Sequence, residues 1–251
     1  MSGMPPMVRL EGLVKTRSQS ESVFELRVPS FEVGPGRMVA VIGESGCGKS
    51  TLLDILALVM EPTKVTRFVV VTGPSIPPVD AAALWANGDE AALAALRRDN
   101  FGYVLQTGGL LPFLDVRQNI LLPGSLNGGR VPSERIEALA VGMGVAGCLD
   151  RMPASLSIGQ RQRVAILRAL AHGPRLVLAD EPTAAVDKGR ARSIMDDMHR
   201  LARDESVAVV VVTHDVDLVM DRADLTYTFD LEHESDSVTR SVCRPVTGGV
   251  P

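Results

Sequence analysis

The 251-residue chain is 45% hydrophobic and 22% charged, the proportions of an ordinary globular protein, and it is long enough for one large domain or one core with a lobe. A formal net charge of −4 argues against a dedicated basic surface, so no nucleic-acid partner is expected. The longest apolar runs, Val207–Val212 and Leu52–Met60, fall short of the ~18 apolar residues of a membrane-spanning helix. Met1–Leu10 lacks a basic stretch followed by an apolar one, so no signal peptide is expected. Three cysteines, Cys47, Cys148 and Cys243, have neither paired nor metal-like spacing and point to a reducing compartment.

In chain order, "MVRLEGLV" and "VFELRVPSFEV" read as antiparallel strands, the second alternating Phe24, Leu26 and Val28 at period two. "RMVAVI" is continuously apolar and leads into a glycine-rich turn, after which Ser50–Met60 reads as a helix. Phe68–Val71, Phe101–Leu105, Arg175–Asp180, Val207–His214 and Leu225–Asp230 follow as further strands, of the continuous Val/Ile/Leu kind that suits a parallel sheet buried on both faces. Thr72–Gly88 reads as a loop with a short helix. Helices are expected in "DEAALAALRRD", in "SERIEALAVGM" with Ser133 as N-cap, in "IGQRQRVAILRALAH" and in "RARSIMDDMHRLARD". Strands alternating with helices predict an α/β fold. From Gln106 to Leu156 no strand is legible. The expected organisation is therefore one domain, with 1–105 and 157–251 forming a mixed-sheet core and 106–156 an inserted helical lobe.

Gly43-Glu44-Ser45-Gly46-Cys47-Gly48-Lys49-Ser50 matches G-x-x-x-x-G-K-[ST], the phosphate-binding loop, between a predicted strand and a predicted helix as that motif requires. Bare backbone there lets successive N–H groups turn inward around phosphate oxygens, and the helix that follows aims its positive end at them. Lys49 adds a charge for the β- and γ-phosphates and Ser50 a hydroxyl for Mg²⁺. A nucleoside triphosphate is the expected ligand. Cys47 reads as a small residue that fits the loop. The strand "RLVLADEPT" ends in two acids: Asp180 is placed to hold the metal and Glu181 to polarise an attacking water, the pairing that hydrolysis needs.

"SLSIGQRQRVAILRAL" (Ser155–Leu170) resembles the signature motif of ABC ATPases, whose usual core is LSGGQ. "ADEPT" with Asp187, "VVVTHD" with His214, and "YVLQTGGLLPFLDVRQNILLP" resemble their Walker B, D-loop, switch histidine and Q-loop, in family order over Val8–Asp230. The resemblance implies a P-loop NTPase core with a helical lobe, and two copies sandwiching two ATP molecules. It implies that the phosphate loop with Thr51 binds ATP, capped across the dimer by Ser157, Gly159 and Gln160 of the other copy. Gln106 would sense metal and water, His214 would contact the γ-phosphate and orient Glu181, and Asp187 would couple the two sites. His172, His199 and His233 are expected to be surface or structural. Arg161 and Arg163 are read as an exposed basic helix face or as nucleotide-facing.

Three departures stand out. Ile158 replaces the first glycine of the signature, a costly residue if that backbone needs a positive φ or close approach to phosphate. Arg17 stands near the place of the family's adenine-stacking aromatic, where it can stack through its guanidinium or remain a solvated hairpin residue. The Lys49–Gln106 interval is long, and its Trp85 either packs the short helix on the core or marks a partner contact. The region past Gln106 looks most like the ATPases of lipoprotein release, macrolide efflux and cell division. That implies an ATP-hydrolysing subunit on the cytoplasmic face of the inner membrane, driving a separate permease. Leu110-Leu111-Pro112-Phe113 would be either its contact surface or lobe core. The alternatives are a non-transport ABC ATPase, of cell-division signalling or Fe–S assembly type, and a weakly active ATP-binding module.

Overall fold

Alternating apolar residues on two long strands, β1 (Val8–Gln19) and β2 (Ser22–Val33), close an antiparallel hairpin with Arg17 opposite Phe24 and Leu13 opposite Val28. The computed structural model describes residues 5–19, 22–126, 128–129, 131–235 and 237–246. The start of the chain at Met1–Met4 and the side chain of His233 lie outside the described residues. After the hairpin come β3 (Met38–Ile42), α1 (Lys49–Leu56), β4 (Arg67–Val70), β5 (Val79–Asp80), α2 (Ala81–Ala86), α3 (Glu90–Asn100) and β6 (Phe101–Val104). Then follow α4 (Val116–Leu126), α5 (Ser133–Gly142), α6 (Ile158–Leu170), β7 (Leu176–Asp180), α7 (Lys188–Asp204), β8 (Ala208–Thr213), β9 (Leu225–Ser235) and β10 (Val238–Pro245).

The strands form one sheet in the order β5-β4-β1-β2-β10-β9-β3-β8-β7-β6. Its β3-β8-β7-β6 half is parallel, and β9 joins β3 in parallel while pairing antiparallel with β10. The other half, β5-β4-β1-β2, is antiparallel. Among the strands expected from continuous apolar runs, Phe68–Val71 therefore belongs to the antiparallel half. Between β6 and α6 the described residues hold helices and turns only.

Period two explains how the parallel strands bury both faces. Met38, Ala40 and Ile42 of β3 join Val177, Ala179, Val209 and Val211 in one core with α6 and α7. Val39 and Val41 face the other way, with Leu176, Leu178, Val210 and Val212, onto α1 and α3. The helices close these faces with apolar residues at three- and four-residue spacing, as Ala191, Ile194, Met195, Met198, Leu201 and Ala202 do in α7.

Four local expectations are corrected. The helix after the glycine loop stops at Leu56 rather than Met60, because Leu58 turns left-handed (φ 58°) and its carbonyl accepts from the Arg97 guanidinium. Ser133 is the first helical residue of α5, with Pro132 at the N-cap and no side-chain cap. Arg161 and Arg163 form no exposed basic face: both are half-buried, Arg161 Nη1 donating to the Leu156 carbonyl (2.6 Å) and Arg163 Nη2 to Ser193 Oγ (2.8 Å). The strand β10 carries no apolar run and is absent from the sequence reading. Trp85 packs on the core against Phe68, ring centroids 5.5 Å apart. His172 is structural, its Nε2 lying 3.1 Å from the Phe101 carbonyl. All three cysteines are buried free thiols. No helix among the described residues is long and apolar enough to cross a membrane.

Candidate functional site

The turn between β3 and α1 closes on its own lysine. Lys49 Nζ donates to the carbonyls of Gly43 (2.7 Å) and Glu44 (2.6 Å), and its side chain is buried. Gly48 is the N-cap of α1 at φ 105°, ψ 9°, and a Cβ there would come within 3.2 Å of Phe24 Cζ. Only glycine satisfies both the left-handed backbone and the close approach. Cys47 is turned into the core, its carbonyl accepting from Ser241 Oγ at 2.5 Å. Burial pushes its thiol above the ordinary value.

A cleft of about 1250 Å³ opens over this loop. From the loop and α1 come Ser45, Gly46, Gly48, Lys49, Ser50 and Thr51. Across from them stand Gln106, Asp180, Glu181 and His214, together with Arg17. Asp180 ends β7 and Glu181 follows in a left-handed conformation (φ 46°), its N–H donating to the Val212 carbonyl of β8 at 2.9 Å. A non-glycine residue there is sterically unfavourable, and such strain concentrates at functional positions. His214 follows β8, and its Nδ1 lies 2.9 Å from Glu181 Oε1. Burial raises the Asp180 carboxyl above its ordinary value, helped by the Glu181 and Asp54 charges and opposed by Lys49. Tyr103 beneath is also raised, by burial first and then by Asp180 and Asp54. Gln106 sits at the tip of a tight turn closed by Gly108 N–H donating to the Leu105 carbonyl at 2.8 Å.

Six lining residues escaped the sequence reading: Ser18, Ser22, Val23, Phe24, Ser237 and Thr239. In the sequence Phe24 reads only as an alternating strand residue. Its cross-strand partners are Arg17 on β1 and Thr239 on β10, which brings the three to one place on the sheet. The hairpin alternation could have paired Arg17 with Phe24; nothing in the sequence announces that β10 inserts beside β2.

The remaining predicted residues do not line this cleft. Ser157, Gly159 and Gln160 open α6 with a capping box: Ser157 Oγ accepts from Gln160 N–H (3.2 Å) and Gln160 Oε1 from Ser157 N–H (2.9 Å). Asp187 caps α7, accepting from the Arg190 N–H at 3.1 Å. The two helix starts are neighbours, since a Cβ on Gly159 would lie 3.6 Å from Arg190 Cδ. Ile158 is the first residue of α6, outside the positive-φ set and 47% exposed. The backbone penalty expected of a β-branched residue there does not arise. The apolar cluster past Gln106 splits: Leu110 packs on the core, whereas Phe113 is 72% exposed.

The ABC transporter family profile matches residues 26–184. An uncharacterized ABC transporter ATP-binding protein of Methanocaldococcus jannaschii, MJ0796, is 32% identical over 93% of this chain and 98% of its own length. Its dimeric structure superimposes with a TM-score of 0.73 at 31% identity, covering 88% of this chain and 94% of that one. A further structure of that cassette is a dimeric post-hydrolysis state bound to ADP and Pi. The lipoprotein-releasing system ATP-binding protein LolD of Novosphingobium aromaticivorans is 37% identical over 86% of this chain and 92% of its own length. The macrolide export ATP-binding/permease protein MacB of Marinobacter nauticus is 37% identical over 85% of this chain, which spans only 32% of that longer protein. By profile, sequence and fold the chain belongs to the ABC transporter family, as one of its ATP-binding cassettes.

Proposed function

We propose that the chain hydrolyses ATP in the Lys49 cleft as a dimer and uses the cycle to drive separate transmembrane permease subunits of the lipoprotein-release or macrolide-efflux type, from the cytoplasmic face of the inner membrane. The observation that carries this reading is the convergence of Ser45, Gly46, Gly48, Lys49, Ser50 and Thr51 with Gln106, Asp180, Glu181 and His214 around one cleft. It supplies anion-binding backbone, a cation, a metal-facing carboxylate and an acid–base pair in one place. The similarity to LolD and MacB favours the transport reading over the non-transport alternatives.

In this reading Lys49 and the loop N–H groups of Gly43–Thr51 hold the phosphates. Arg17 and Phe24 flank the base, the guanidinium and the ring offering two flat surfaces. Glu181 takes a proton from the attacking water, and His214, paired with that carboxylate, faces the γ-phosphate. Among the described residues no three His, Cys, Asp or Glu side chains gather to cage a metal. Mg²⁺ is usually held by one or two carboxylates and substrate phosphates rather than by an all-protein cage, and the oxygen donors of Ser50, Gln106 and Asp180 suit it. When bound, the ion neutralises charge building on the phosphate oxygens. Ser157, Gly159, Gln160 and Asp187, outside the chain's own cleft, cap the nucleotide of the partner copy. The segment 106–156 forms the lobe facing the permease, with exposed Phe113 in the contact.

The test is ATP turnover by purified protein with Glu181→Gln alongside. Turnover lost in the variant while ATP still binds supports the reading; equal rates would remove Glu181 from the mechanism. Co-purification with a permease from detergent-solubilised membranes tests the partner.

A further inference from the structure

Arg168 lies in the last turn of α6, half-buried, and among the described residues it pairs with no carboxylate. Its guanidinium is spent on two backbone carbonyls: Nη1 donates to Gly109 O at 2.6 Å and Nη2 to Gly108 O at 2.8 Å. Both glycines are left-handed, Gly108 at φ 72° and Gly109 at φ 58°. They follow directly on the tight turn that carries Gln106, closed by Gly108 N–H to Leu105 O. Two consecutive left-handed residues form a soft point in the chain, since glycine has little preference to hold them there. A planar fork that grips both carbonyls removes that freedom. Burial lowers the Arg168 pKa.

We propose that Arg168 is the positioning residue for Gln106: it fixes the exit of the Gln106 turn to α6, so that the amide enters the cleft in one place and follows α6 when that helix moves. Ser157 and Gly159 open the same helix, roughly 16 Å away at 1.5 Å per residue. A displacement felt at the start of α6 is thus delivered to Gln106 through one rigid rod and two hydrogen bonds. Lysine in place of arginine is a single-point donor and cannot hold both carbonyls at once. The inference rests on the ATPase reading above for what Gln106 does in the cleft; the grip itself does not.

The experiment uses the full chain with Arg168→Met, Arg168→Lys and Gly109→Ala. Gly109→Ala reaches the same point from the other side: its φ of 58° disfavours a side chain, and a Cβ would lie 2.8 Å from Leu105 Cδ1. Three quantities are measured: ATP affinity, kcat against KM, and amide hydrogen exchange along 105–111. The expected result for Arg168→Met is kcat lowered at least tenfold, KM and ATP affinity within about threefold of wild type, and faster exchange confined to 105–111. Arg168→Lys falls between, and Gly109→Ala reproduces the loss. Wild-type kcat and wild-type exchange at 105–111 in Arg168→Met overturn the proposal, as does a uniform fall in ATP affinity, kcat and protection across the chain. If Arg168→Met does not fold, Arg168→Lys and Gly109→Ala decide by the same criteria. A Lys49→Ala control that binds ATP with wild-type affinity overturns the ATPase reading instead, and leaves the exchange result to judge the grip.

Discussion

His214 Nδ1 stands 2.9 Å from Glu181 Oε1 across the cleft, and the two residues differ sharply in setting: the Glu181 side chain is 13% exposed and that of His214 68%. The acid is fixed from behind, by the left-handed backbone and the N–H bond to Val212. The imidazole is exposed, with its Nδ1 against the acid. Glu181 is therefore the anchored partner, and the pair is built for an acid whose direction is set and a histidine that follows it.

From this asymmetry, Glu181→Gln keeps ATP affinity within about threefold while lowering kcat by roughly 10²–10⁴, the usual contribution of a positioned general base. His214→Ala gives a loss within the same range and a smaller effect on stability, since an exposed side chain gives up little packing. Single-turnover hydrolysis with parallel calorimetric binding separates the two effects.

Lys49→Ala removes the cation and also the two bonds that fold the loop over Gly43 and Glu44. At about 1.5–3 kcal/mol for a hydrogen bond to a charged group, ATP affinity falls by roughly 10- to 150-fold. Titration calorimetry measures it, and an unchanged Kd would exclude Lys49 from phosphate binding.

The Arg17–Phe24 pair predicts a loss specific to the base. Phe24→Ala weakens ATP by about 1–3 kcal/mol, the range for a base stacked on an aromatic ring. Inorganic tripolyphosphate, which has no base, binds Phe24→Ala as it binds wild type. Equal weakening of both ligands would show that Phe24 acts through Gly48 and the loop rather than on the base.

Asp180 sets a pH dependence of defined sign. Its carboxyl is raised above the ordinary 3.8 by burial, Glu181 and Asp54. In the window above 3.8 the folded chain keeps a proton there that the unfolded chain has released, so stability falls as pH rises through that window. Asp54 is raised too, chiefly by burial, and acts in the same sense. Nucleotide-free Asp180→Asn therefore melts higher than wild type at neutral pH and shows a shallower decline from acid to neutral pH, although it loses hydrolysis. Thermal melts across pH test both; a lower neutral-pH midpoint would contradict the sign.

Ser157→Ala breaks the capping box of α6 and costs about 1 kcal/mol, a fall in Tm of roughly 2–4 °C for a chain of this size. Ile158→Gly also lowers Tm slightly, by loss of helix propensity of roughly 0.5 kcal/mol. A gain in Tm with glycine would mean that Ile158 carries backbone strain after all.

The legible part of the site was the part encoded in contiguous motifs. Lys49 opens a helix, Asp180 ends a strand, and Glu181 and His214 directly follow strand ends, and continuous apolar runs such as Met38–Ile42 and Ala208–Thr213 mark those strands plainly. What escaped was non-local. "VTRSVCRP" reads as polar and irregular, and becomes strand β10 only because it slots between β2 and β9. With it Ser237 and Thr239 reach the cleft. The misread stop of α1 at Leu56 has the same origin, since Arg97 reaches it from 39 residues along the chain.

By itself the sequence determined the alternation of strands and helices, the glycine turn, and the order of the chemical groups along the chain. Those follow from local rules: side-chain periodicity, backbone freedom at glycine, and charge at strand ends. Only the tertiary structure decided that Ile158 keeps a negative φ, that β10 inserts beside β2 and brings Ser237 and Thr239 to the cleft, and that Arg168 grips the turn carrying Gln106. Each of these depends on which distant segments pack together. Their packing is set by the summed burial of two apolar faces and not by any short stretch of residues.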